Sequence, residues 1–198
     1  MIPRVCLLLG RGPRARAGFR PVSIPPSPEG FTLIELIVVV AVLSIVLGLG
    51  VPAMQSILQR GRLKEVAELL AADLRFARAE TTKRKTAVSV SYSPDAWCYG
   101  ISEAGGCDCT STNCVLSVAG AGVEKKRDGS DFPAVAMSGN TFPGTPPRTR
   151  FDAVRGTASA GSVTFATPTG ADLRVVVSAT GRVRICSPSD TVAGYGPC

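Results

Sequence analysis

No histidine occurs anywhere in the 198 residues. Ser-His-Asp and Cys-His catalysis are therefore excluded, together with every imidazole-ligated metal site. The glycine-rich phosphate loop ending in Lys-Ser or Lys-Thr is also missing, so no nucleotide-driven step is expected of this chain. Without histidine a hydrolase would need a Ser-Lys or paired-carboxylate site, and no such pair stands out. Neither an enzyme nor a cofactor is expected. Acidic residues are scarce at the start, where residues 1–30 carry Arg4, Arg11, Arg14, Arg16 and Arg20 against Glu29 alone. The formal net charge of +7 is thus unevenly spread. Without those five arginines and Glu29, 17 basic and 14 acidic side chains remain, a net charge of only +3. Overall basicity is accordingly weak evidence for a nucleic-acid partner.

Seven cysteines are present, and Cys6 lies in the basic segment. The other six, Cys98, Cys107, Cys109, Cys114, Cys186 and Cys198, suit an oxidising compartment and up to three disulfides. The C-x8-C-x-C-x4-C spacing of the first four lacks the paired Cys-x-x-Cys of common zinc sites, so disulfides are favoured over metal. Pairing Cys186 with Cys198 would hold the Pro/Gly-containing tail between them, and a second bridge is expected within Cys98–Cys114. Six cysteines allow about fifteen pairings, so the full connectivity stays open.

Phe31 to Val51 is apolar with one charge, Glu35. As a helix this run spans roughly 30 Å, the thickness of a bilayer's hydrocarbon core. The preceding arginines predict a cytoplasmic N-terminus, which places everything after Val51 outside the cytoplasm, in agreement with the cysteines. An ordinary secretory signal would have a shorter core followed by a small-residue cleavage site. Here the plausible cleavage site, Pro-Ser-Pro-Glu-Gly30, precedes the core. A carboxylate in such a helix is costly in lipid and calls for a partner.

Gly30-Phe-Thr-Leu-Ile-Glu-Leu36 resembles the processing motif of type IV prepilins and type II secretion pseudopilins. The resemblance implies a leader over 1–30, cleavage between Gly30 and Phe31 by a prepilin peptidase, and methylation of the Phe31 amine. It also implies a transmembrane and assembly helix over 31–52, with Glu35 paired to the amine of a neighbouring subunit. Pro52 falls where family members often carry a helix-kinking proline.

Beyond Pro52, Leu63, Val66, Leu70, Leu74 and Ala77 recur at three- and four-residue spacings and define an apolar helical face. Leu69 and Phe76 broaden it, and the charges from Arg62 to Arg78 read as a solvated face. The spacing predicts a helix from Thr32 to about Thr82 with a bend at Pro52. Strands are expected at Thr86–Tyr92, Trp97–Ile101, Val115–Val118, Ser162–Ala166, Leu173–Ser178 and Arg182–Cys186. Gly120–Gly129 and Ser138–Pro147 read as connections. The region 53–198 is therefore an α+β domain, with the amphipathic half of the helix (53–84) packed on a mainly antiparallel sheet (86–198). The Leu69–Val90 stretch, with Ala-Arg-Ala-Glu-Thr before its first strand, resembles the GspH/FimT family of minor pilins and pseudopilins, and this implies the type IV pilin fold.

Ser178-Ala-Thr-Gly-Arg-Val-Arg-Ile-Cys186 closes a predicted hairpin around Thr180-Gly181. Side-chain alternation turns Val183 and Ile185 to the core and leaves Arg182 and Arg184 together on the other face. Gly181 would supply a positive φ or leave room for a phosphodiester backbone. Two arginines beside a small turn suit bidentate phosphate contacts, which position a nucleic acid without reading its sequence. Alternating Arg and Val is equally how any half-exposed strand is written. The Gly-Arg-x-Arg motif resembles that of FimT-type minor pilins, which implies a role for Gly181, Arg182 and Arg184 in binding double-stranded DNA during natural transformation. Arg148, Arg150, Arg155 and Arg174 would extend that surface only where the fold brings them close. The implied partners are other pilin or pseudopilin subunits, the prepilin peptidase, the inner membrane and DNA. The expected location is the inner membrane with a periplasmic domain, and later a pilus filament. The alternative is a GspH-type minor pseudopilin of a type II secretion system with no DNA role.

Overall fold

The structure, a computed structural model, describes residues 30–103, 105–111, 114–118 and 120–198, and of residues 51–53 the backbone alone. The expected leader before Gly30 and the side chain of Pro52 lie outside the described residues. The chain divides into two compact units, Met1–Leu43 and Ser44–Cys198. Among the described residues one α-helix, α1, runs over Leu33–Arg84.

In the first unit the described part is the start of α1, and every side chain from residue 31 to 43 is exposed. Phe31, Leu33 and Ile34 are 84%, 77% and 70% accessible, an exposure of apolar surface that a water-soluble helix does not sustain. Among the described helices, α1 is long and apolar enough to cross a membrane.

In the second unit the amphipathic stripe does the packing. Leu63, Val66, Leu70, Leu74 and Ala77 are wholly buried, joined by Ala67 and Ala71. Each fully buried Leu or Val contributes roughly 1.5–3 kcal/mol, so this stripe rather than helix propensity fixes the segment. The helix ends where Lys85 turns left-handed at φ 58° and its N–H bonds the Thr81 carbonyl at 3.0 Å. Arg84 anchors that end, donating to Glu80 at 2.6 Å and to Glu103 at 2.8 Å.

Among the described residues ten strands follow: β1 (Val88–Ser93), β2 (Cys98–Glu103), β3 (Val115–Val118), β4 (Ala121–Glu124), β5 (Lys126–Asp128), β6 (Ala136–Asn140), β7 (Arg148–Phe151), β8 (Gly161–Ala166), β9 (Asp172–Val177) and β10 (Val183–Cys186). They form two four-stranded antiparallel sheets, ordered β5-β2-β1-β7 and β10-β9-β8-β6, and a β3-β4 ribbon. Val88, Val90, Tyr92, Tyr99 and Ile101 of the first sheet share one core with Val163, Phe165, Leu173, Val175 and Val177 of the second. The helical stripe belongs to the same core.

Two expected connections contain strands. Residues 120–129 hold β4 and β5, and residues 138–140 complete β6. All four β4 side chains are exposed and β5 reads Lys-Arg-Asp, so neither has apolar alternation to announce it. In β6 the register against β8 shifts between Met137 and Gly139, which breaks the period of two. Arg148–Phe151 is also a strand, pairing with β1, where the sequence suggested only basic side chains.

In the first sheet β1 and β2 are buried on both faces. Ser89, Ser91, Cys98, Gly100 and Ser102 alternate with the core residues, so they share the opposite face, and those that carry a side chain are buried. A cysteine-rich loop covers that face through the Cys98–Cys109 and Cys107–Cys114 disulfides. The Cys107 N–H donates to Ser91 Oγ at 3.0 Å, which seats the loop on β1. The third disulfide, Cys186–Cys198, ties the tail to β10.

Candidate functional site

Two regions carry the expected functional residues, one in each unit. In the first, Gly30 and Phe31 precede α1 and are exposed. Thr32 caps the helix, its Oγ1 accepting the Glu35 N–H at 3.3 Å and its carbonyl accepting the Leu36 N–H at 3.2 Å. Thr-x-x-Glu at this place is the sequence of a capping box, and Thr32 forms its half of it. Glu35 lies in the first helical turn, where the positive end of the helix dipole favours a carboxylate.

The second region is the β9–β10 hairpin. Gly181 N–H bonds the Ser178 carbonyl at 2.8 Å, and Ser178 N–H bonds the Arg182 carbonyl at 3.0 Å. Gly181 itself has φ 72°. This is a three-residue hairpin loop whose last position must be left-handed, and glycine takes that conformation without cost. The turn is clasped from the helix. Arg78 donates to the Gly181 carbonyl at 3.0 Å and to the Thr180 carbonyl at 3.1 Å. A Cβ on Gly181 would lie 3.1 Å from both Arg78 Nε and the Gly156 carbonyl oxygen. The space into which a side chain at position 181 would project is therefore already occupied by the protein.

Arg182 and Arg184 are both exposed, while Val183 and Ile185 pack at the core's edge. The arginines line separate recesses. Arg182 borders a groove of about 680 Å³ between the hairpin and α1, together with Arg75, Arg78, Ala79, Thr82, Lys83, Gly181 and Val183. Arg184 borders a recess of about 420 Å³ with Arg174, Val176, Ser162, Thr141 and Cys198, among others, on the sheet face turned away from the helix. Arg174 reaches Thr164 Oγ1 at 3.1 Å on that same face.

Of the other arginines, Arg174 is thus brought beside Arg184. Arg148 and Arg150 line a different recess, on the first sheet, with Arg148 donating to the Gly105 carbonyl. Arg155 sits in the β7–β8 loop, which abuts the hairpin through an Ala158 N–H to Ala179 carbonyl bond of 2.9 Å. Asp152 shapes that loop. Its carboxylate accepts the Arg155 and Val154 N–H groups, and these bonds hold it below the ordinary carboxylate range.

Arg75 and Arg78 had read as part of a solvated face, and Lys83 had not been singled out. The signal that finds them is the i, i+3 spacing of Arg75 and Arg78 toward the basic end of α1, where Lys83 follows beside Glu80. Among the described residues no carboxylate lines the groove, and none forms an ion pair with Arg75, Arg78 or Arg182.

A family model described as type II transport protein GspH matches residues 66–181, and one described as a prokaryotic N-terminal methylation motif matches residues 28–51. Among solved structures the chain is similar to the minor pseudopilin EpsH from the type 2 secretion system of Vibrio cholerae. That pair shares 11% identity with a TM-score of 0.47 over 65% of this chain and 99% of the other. It is also similar to the type IV minor pilin FimU of Pseudomonas aeruginosa strain PAO1, at 20% identity and TM-score 0.44, over 66% of this chain and 92% of that one. No curated protein matches the chain in sequence.

Proposed function

The chain belongs to the GspH family of type II transport proteins, which are structural subunits and not enzymes, and from that premise we propose that it is a minor pilin of a type IV pilus whose β9–β10 hairpin holds DNA. The apolar start of α1 and the methylation motif point to membrane anchoring and assembly into a filament. In this reading a prepilin peptidase cuts between Gly30 and Phe31 and methylates the Phe31 amine. Glu35 then pairs with that amine on a neighbouring subunit, which supplies the partner an acid in apolar surroundings needs. The domain faces the periplasm before assembly and the cell surface afterwards, an address in keeping with its three disulfides.

The observation that carries the DNA reading is the hairpin itself. Arg182 and Arg184 are exposed on either side of Val183, on a turn made rigid by Arg78 and the β7–β8 loop. Preorganised guanidinium groups suit phosphate oxygens and carry no sequence preference. A pilus drawn back by a separate motor would bring such bound DNA to the cell surface, the step natural transformation requires.

A second reading, a minor pseudopilin of a type II secretion system, is favoured by the description of the matching family. Fluorescence anisotropy of a labelled DNA duplex with the full chain in detergent separates the two. Wild type binds and Arg182→Gln/Arg184→Gln loses affinity about tenfold or more, with a salt slope shallower by about 2. Undetectable binding, or binding unaltered in the double variant, leaves the secretion reading standing.

A further inference from the structure

The groove between α1 and the hairpin contains four cationic side chains, Arg75, Arg78, Lys83 and Arg182, and no carboxylate among its described lining. Arg78 is spent on the turn, with both terminal nitrogens bonded to backbone carbonyls. Arg75 has no hydrogen bond or ion pair within the described residues and is exposed. Lys83 is 77% exposed and meets Glu80 only at 3.8 Å, while Glu80 is held by Arg84 at 2.6 Å. Lys83 therefore keeps most of its ammonium open to solvent and to a further anion, its one protein contact being the long approach to Glu80, which shares Arg84 with Glu103.

We propose that this groove seats the DNA backbone, and that Arg75 and Lys83 of α1 contact phosphates together with Arg182. The inference rests on the DNA reading above and moves the centre of the site from the strand to the helix–hairpin groove. Eight residues separate Arg75 from Lys83, about 12 Å along the helix axis. That length corresponds to roughly three to four phosphates of one strand at about 3.4 Å of axial rise each. Arg184 lies on the other side of the edge strand, so it contributes to the general field of the hairpin and not to this row of contacts.

The lining also states what kind of nucleic acid fits. Among the described residues no aromatic side chain borders the groove, so bases gain no stacking platform from them. The groove offers charge and two small polar or apolar surfaces, Thr82 and Ala79, which suit a backbone and not exposed bases. A duplex, with one charge per about 1.7 Å of axis, is favoured over a single strand, and affinity does not depend on its sequence.

Anisotropy titrations of the full chain in detergent, with a labelled duplex, the matching single strand and a duplex of different sequence, test this across a salt series. Arg75→Gln/Lys83→Gln is expected to weaken duplex binding about tenfold or more and to lower the salt slope by about 2. Arg75→Lys/Lys83→Arg keeps the charges and is expected to bind as wild type. Arg148→Gln/Arg150→Gln, in the separate recess of the first sheet, is expected to change little. If Arg75→Gln/Lys83→Gln binds as wild type while Arg182→Gln/Arg184→Gln does not, the groove proposal is overturned and the hairpin reading survives. Loss of binding in the charge-conserving variant, or a preference for the single strand, likewise overturns it. A wild-type chain that binds no DNA removes both.

Discussion

A methyl group placed on Gly100 would sit 2.2 Å from Cys114 Sγ and 3.0 Å from Cys107 Sγ. That side of β1 and β2 is kept small by Ser89, Ser91, Gly100 and Ser102 so that the Cys107–Cys114 bridge can lie directly on the sheet. Gly100→Ala must push a disulfide away, because the clash is with sulfur held at both ends. We expect it to destabilise the domain by about 1–3 kcal/mol, measured by urea unfolding of the oxidised chain. A change within experimental error would show that the loop is not seated as described. Gly181 is constrained in two ways at once, by its left-handed φ and by the guanidinium and carbonyl that crowd its Cβ position. Its place at the turn before Arg182 and Arg184 was plain in the sequence. Which of its two offered roles it fills was not, because the neighbour that fills the space, Arg78, lies 103 residues away.

The clasp between α1 and the hairpin decides the behaviour of both elements. Arg78 supplies two charge-assisted hydrogen bonds to carbonyls that have no strand partner of their own. Because the side chain is exposed, each is worth less than a buried equivalent. Arg78→Ala is expected to lower stability by about 1–2 kcal/mol and to speed amide exchange at Ser178 and Gly181, read by hydrogen exchange. Exchange unchanged at those two amides would mean the loop is rigid without the helix. Elements whose faces differ in polarity were legible: the helical stripe from Leu63 to Ala77, and β8 and β9, whose Val163, Phe165, Leu173, Val175 and Val177 alternate with partly exposed neighbours. The β4 and β5 strands were hidden because backbone pairing to β3 and β2 stabilises them, and such pairing leaves no pattern in side-chain hydropathy.

For the molecule as a whole, the two units answer to different surroundings. The exposed apolar start of α1 needs lipid or other helices, whereas the domain is closed by its own core and three disulfides. Those bridges span 11, 7 and 12 residues, and each removes freedom from the unfolded chain worth roughly 2–3 kcal/mol. Since Glu35 lies outside the domain's core, Glu35→Ala should leave folding and leader cleavage intact yet abolish incorporation into filaments. Immunoblots of sheared filaments against whole cells check this, and normal incorporation would remove the pairing role. The sequence by itself determined the local matters: an apolar run with one acid behind a basic stretch, an amphipathic helix, a closing hairpin, and cysteines suited to an oxidising compartment. Each depends on residues within a turn or two of one another, so periodicity and spacing suffice to read it. Only the tertiary structure decided which cysteines pair, which strands lie hidden between glycines, and which charged side chains share a groove. Those outcomes depend on residues far apart in the chain, such as Arg75 and Arg182, that become neighbours only once the core has closed between helix and sheets.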